Sequence, residues 1–161
     1  MKKTILASLI FMLVFTMAGC TTKDAKTIDI YVEGYRYGFS LSKVAAAENG
    51  NTIVKILMSP LKNKEGETAD LMTAMNVGAL FLMETYIVVD DVPLEYNENS
   101  TFSIETNDDG MEFIYNYEFD TDQQPDEIYF YPAEKRNESD YHWQIDPATG
   151  EILKEAAITN Q

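Results

Sequence analysis

The chain has 161 residues, a one-domain length, of which 45% are hydrophobic and 24% charged. It has 27 acidic and 12 basic residues, a formal net charge of −15, with one cysteine and one histidine. These numbers exclude a disulfide framework and a Cys/His zinc site, and so acidic a chain lacks the basic face that nucleic-acid binding needs.

Lys2 and Lys3 open the chain, and Ile5 to Met17 is apolar except for Ser8 and Thr16. A short positive segment before a short apolar run predicts a secretory signal, and the run is too short to span a bilayer comfortably. Met17-Ala18-Gly19-Cys20 resembles the lipobox of bacterial membrane lipoproteins, with Met where the family usually has Leu. The resemblance implies diacylglycerol attached to Cys20 through a thioether, with cleavage before it. It would also explain an odd cysteine in an exported chain. Residues 1–19 are then a signal peptide and 20–26 a lipidated tether. The expected location is extracytoplasmic, anchored to the cell membrane, because two acyl chains hold where one is marginal. In a diderm host, the non-acidic Thr21 would resemble an outer-membrane sorting signal. The heptapeptide Leu13 to Gly19 also resembles the peptide pheromones cut from some lipoprotein signals. Without residues 1–19, ten bases face 27 acids, a net charge of −17. The stretch from Thr21 to Lys26 reaches roughly 20 Å when extended, which keeps the domain near the bilayer.

Strand patterns dominate from Thr27 onward. Ile28, Ile30 and Val32 alternate with polar or aromatic residues, and after Gly34 the alternation resumes with Tyr35, Tyr37, Phe39 and Leu41. Residues 42–48 read as a strand running into a loop, or as a helical turn capped by Ser42. Asn49-Gly50 marks a turn before a strand over 52–58. A polar loop over 60–67 leads to Thr68, which caps a short helix near residues 68–76; the helix could run on to 83. Residues 79–89 read as a buried strand, β-branched at its end.

Thr101 to Thr106 and a long aromatic strand over 111–119 form a hairpin about Asn107-Asp108-Asp109-Gly110. Ile128 to Tyr131 is a further strand, closed by Pro132. A last hairpin pairs Tyr141, Trp143 and Ile145 with Ile152 across Asp146-Pro147-Ala148-Thr149-Gly150. Seven or eight strands with one short helix predict a mainly β protein, an antiparallel β-sandwich with an immunoglobulin-like layout. The pattern resembles uncharacterised immunoglobulin-like surface lipoproteins. The alternative is an α+β fold with a helix over 68–83. Either way 27–157 is one β-rich domain and 158–161 a polar tail.

Two candidate sites stand out. Asp120, Asp122, Asp126 and Glu127 gather four hard oxygen donors, which suit calcium. They lack EF-hand spacing, since the sixth position is Pro125 and the twelfth Tyr131. The second site comes from the ten tyrosines. Tyr129 and Tyr131 share one face of their strand, opposite Ile128 and Phe130. If the aliphatic face is core, both phenols face out and form an aromatic surface for a sugar ring or a protein partner. His142 should point to solvent, opposite Tyr141 and Trp143. No nucleophile motif accompanies it, so no catalytic residue is assigned. The expected function is a non-enzymatic binding or accessory domain at the cell surface, its partner a protein or a wall glycan. The alternative is a small-ligand module for glycan or calcium.

Overall fold

A computed structural model describes residues 27–157, apart from 33, 60–61, 71, 74–82 and 108–109. The expected lipobox with Cys20, the expected tether and the expected tail lie outside the described residues. Among the described residues no helix is long and apolar enough to cross a membrane.

The chain is mainly β. Its strands are β1 (Ile28–Val32), β2 (Tyr35–Ala46), β3 (Thr52–Met58), β4 (Met83–Val89), β5 (Val92–Glu95), β6 (Thr101–Asn107), β7 (Gly110–Phe119), β8 (Glu127–Pro132), β9 (Trp143–Ile145) and β10 (Ile152–Lys154). They form two five-stranded sheets, ordered β1-β2-β3-β7-β6 and β10-β9-β8-β4-β5. Neighbouring strands pair antiparallel throughout both sheets. The two sheets pack face to face as a β-sandwich.

Alternation of side chains decides which residues meet between the sheets. In β3, Thr52, Val54, Ile56 and Met58 are buried and the residues between them are half-buried. In β4 the buried set is Met83, Thr85, Ile87 and Val89. One core draws on both sheets, including Phe39, Val54, Ile56 and Phe119 from the first and Ile87, Ile128, Phe130 and Trp143 from the second. Phe39 and Phe130 meet across the gap with ring centroids 5.1 Å apart. Truncating either to alanine is expected to cost about 3–5 kcal/mol, because the cavity adds to the lost transfer energy. Tyr117 spans the gap differently: its hydroxyl donates to the Met83 carbonyl at 2.7 Å.

The 42–48 stretch is strand, and β2 runs to Ala46. Its register shifts between Leu41 and Lys43, an extra residue that bends the strand. Residues 72–73 of the expected short helix are helical, Thr68 instead bridges Lys62, and 71 and 74–82 lie outside the described residues. The longer alternative fails at its end, because Met83 opens β4 and is buried in the core.

Strand β5 was not expected. It pairs Val89 with Val92 across Asp90 and Asp91, whose φ angles are 50° and 64°. Two consecutive positive φ values make a type I′ turn, whose twist matches the strands it joins. Pro93 is tolerated because β5 is an edge strand.

Candidate functional site

The outer face of the second sheet carries the richest chemistry. Burial of Ile128 and Phe130 turns Tyr129 and Tyr131 to the opposite side, as the alternation predicts. Ladder register then sets their neighbours. Glu95, Tyr86, Tyr129 and Gln144 lie in one row across β5, β4, β8 and β9. Glu84 stands opposite Tyr131 in the next row, and Glu127 opposite Val88 in another.

Residues 133–142 cross over this face. They contain two short 3-10 turns, Ala133–Lys135 and Ser139–Tyr141. Glu138 N–H donates to the Lys135 carbonyl at 2.9 Å and Tyr141 N–H to the Glu138 carbonyl at 2.9 Å. Ala157 N–H ties the segment down by donating to the Asp140 carbonyl at 2.7 Å. Two residues of this crossing reach the site. Arg136 Nη2 meets Glu95 at 2.8 Å and its Nη1 lies 3.8 Å from Glu84. His142 packs its ring on Tyr131, with centroids 4.5 Å apart.

This covering corrects two expectations. Tyr131 is 0% exposed, so it forms no open aromatic platform. His142 is 5% exposed and does not point to solvent. Both do lie on the outward side of the sheet, but a loop closes that side. Tyr129 is half-buried and stacks on Tyr86, centroids 4.7 Å apart. The aromatic group is therefore Tyr86, Tyr129, Tyr131 and His142.

The electrostatics follow from burial among carboxylates. Burial raises the Tyr129 phenol to about 12, and its 2.8 Å hydrogen bond to Glu127 adds to this. Burial raises Tyr131 as well, reinforced by the charges of Glu95 and Glu84. Tyr86 is raised by burial, then by Glu127 and Glu95. The phenols therefore stay neutral.

Three buried polar atoms here have no hydrogen-bond partner: the Tyr131 hydroxyl, Glu84 Oε2 and His142 Nδ1. Glu84 raises the Tyr131 phenol by its charge and, least, by a hydrogen-bonding approach whose geometry is too poor to satisfy the hydroxyl. His142 Nε2 lies 3.2 Å from the Lys135 carbonyl. A carbonyl only accepts, so Nε2 carries a proton. Unmet groups of this kind are rare in folded proteins and mark places where chemistry is unfinished.

The four acidic residues of the 120–127 stretch do not converge. Asp126 accepts from Asp90 N–H at 2.9 Å, and Glu127 binds Tyr129 and Gln144. Asp122 is exposed. No group of three or more His, Cys, Asp or Glu suited to a metal occurs among the described residues. Asp120 joins a different constellation, with Glu118. The side-chain amides of Asn49, Asn51, Asn97 and Asn99 all reach Glu118 Oε1, at 2.9, 2.8, 3.4 and 3.3 Å. Asn51 and Asn97 also reach Asp120, at 3.1 and 2.6 Å. These amides hold the Glu118 carboxyl below its ordinary value, Asn49 most. The available signal was a repeated Asn-x-Asn, at 49–51 and 97–99. The arrangement latches the β2–β3 turn and the β5–β6 crossover onto the end of β7.

A concavity lies on the outer face of the first sheet, lined by Asp29, Arg36, Gly38, Ser59, Lys62 and Glu112 among others. Asp29 and Arg36 satisfy each other there at 2.7 Å.

Comparison of the chain with family models, with curated proteins and with solved structures finds no match.

Proposed function

We propose that this chain is a lipid-anchored extracytoplasmic binding domain, and that it meets its partner with the outer face of the β10-β9-β8-β4-β5 sheet. The observation that supports the binding role is the set of buried polar atoms without hydrogen bonds on Tyr131, Glu84 and His142, beside the stacked Tyr86–Tyr129 pair. Such groups are costly when left unmet and are retained where a ligand completes them. The lipobox ending at Cys20 supports the anchor. The reading is of a non-enzymatic domain, since no nucleophile motif accompanies the single histidine of the sequence.

The anchor is tested by Cys20→Ala, which is expected to move the protein from the membrane pellet to the soluble fraction. Persistence in the pellet overturns it. The face is tested with a photo-crosslinking residue placed at Gln144, and separately at Lys55 on the other sheet, in the cells that make the protein. Capture of a defined partner from Gln144 alone supports the assignment. Equal capture from both positions, or from neither, overturns it.

A further inference from the structure

The unmet groups on this face share one property. Glu84 Oε2 accepts, the Tyr131 hydroxyl can do either, and His142 Nδ1 accepts in the tautomer that carries its proton on Nε2. Glu95 and Glu127 add two more carboxylates to the same face, and the chain is strongly acidic overall. Four aromatic rings lie among them: Tyr86 is 4.7 Å from Tyr129 and 5.9 Å from both Tyr131 and His142. Acceptors and carboxylates among aromatic faces are the chemistry that holds an organic cation.

One such cation is already in place. Arg136 puts its guanidinium between Glu84 and Glu95, at 3.8 and 2.8 Å, while remaining half exposed. It makes one close contact and leaves Glu84 Oε2 without a hydrogen bond. An exposed pair of this kind contributes little and exchanges readily. Arg136 also belongs to the segment that closes over Tyr131 and His142.

We propose that the Glu84–Glu95–Tyr86–Tyr131–His142 group is a recognition site for a guanidinium or ammonium group, and that Arg136 is its resident stand-in. The incoming cation displaces Arg136, binds Glu84 and Glu95, and supplies N–H donors to His142 Nδ1 and the Tyr131 hydroxyl. The shared chemistry fits a free organic amine or a basic side chain of a protein. This proposal rests on the binding face proposed above.

The test is titration of the full-length chain, in detergent micelles, with N-acetyl-arginine amide, followed by calorimetry and by the 15N signals of the His142 ring. Saturable binding with a dissociation constant on the order of 1 mM is expected. Arg136→Ala should tighten it about tenfold by removing the competitor. Adding Glu95→Gln to that variant should weaken it at least about tenfold, whereas Glu105→Gln, on β6, should change nothing. Arg136→Ala that binds no cation overturns the proposal, and so does equal loss with Glu105→Gln, which would mean unspecific attraction to an acidic surface. A hexa-arginine peptide at least tenfold tighter than the single amide identifies a protein source. Equal affinity per group identifies a free amine. Binding of a neutral N-acetylglucosamine tetramer without the cation overturns this proposal but leaves the binding face standing. Binding of neither, together with no capture at Gln144, removes both.

Discussion

The imidazole of His142 lies against the phenol ring of Tyr131, centroids 4.5 Å apart and planes 25° from parallel. Stacking positions the two rings without satisfying the hydroxyl of one or Nδ1 of the other. Tyr131→Phe should therefore leave stability within about 0.5 kcal/mol of wild type, or raise it. Tyr117→Phe is the contrast, because it strips the 2.7 Å bond from the buried Met83 carbonyl. That change should cost about 1–2 kcal/mol. Urea unfolding of both variants checks this. A larger loss for Tyr131→Phe would mean that its hydroxyl has a partner.

Acid should weaken the fold through its held carboxylates. The amides around Glu118 lower it from an ordinary value of 4.5, and the Thr149 and Ala148 N–H groups lower Asp146. A group depressed in the folded state adds stability above its unfolded value and loses it as pH falls through its folded one. Melting temperature should therefore decline from about pH 4.5 downward. Glu118→Gln should melt lower than wild type at pH 7, and the gap should close towards pH 3. Equal melting at both values would show that the latch does not depend on charge.

Base should weaken the fold through its phenols. Tyr129 is raised to about 12, and Tyr86, Tyr96, Tyr115, Tyr117 and Tyr131 are raised too, each chiefly by burial. Raised groups contribute fully below their unfolded value, near 10, and that contribution is lost as pH climbs through the folded values. Absorbance at about 295 nm should show these six phenols ionising only with unfolding, visible as a simultaneous loss of circular dichroism. Titration of all ten phenols in one early step would contradict the buried clusters.

Two backbone positions give opposite outcomes for small changes. Asp91 adopts φ 64°, where a side chain is strained. Asp91→Gly should stabilise by about 0.5–1 kcal/mol, the left-handed penalty less the entropy that glycine adds to the unfolded chain. At Gly38 a Cβ would fall 2.5 Å from Thr27 Cγ2 and 2.7 Å from Ser59 Oγ. Gly38→Ala should destabilise by about 1–3 kcal/mol. Thermal melts of the two variants read both signs directly.

Period-two patterning placed β3 at Thr52–Met58 and the long aromatic strand within a residue of its observed start, because β3 buries every second residue and Met111, Phe113, Tyr115, Tyr117 and Phe119 all pack on the core. The Asp146–Gly150 turn was legible from its proline and glycine. Strand β5 was not, since Pro93 argues against a strand and four residues carry no period. Alternation also placed Tyr131 on the correct side. It carries no information on whether a loop later closes that side, so the burial of Tyr131 and His142 was out of reach. The partners of Asp120 were equally hidden. Asn51 lies 69 residues away and Asn97 lies 23 away, and no local pattern joins them.

That separation has a kinetic consequence. The β1–β2 and β2–β3 hairpins close short loops and can form early. The Asn49–Glu118 contact closes a loop of 69 residues and needs β7 already aligned on β3. The amide latch is therefore expected among the last contacts to assemble and among the first to open. Its loss should leave the refolding rate nearly unchanged and speed unfolding by the full change in stability. The latch acts as a brake on opening, which lengthens the lifetime of the folded state without guiding the chain towards it.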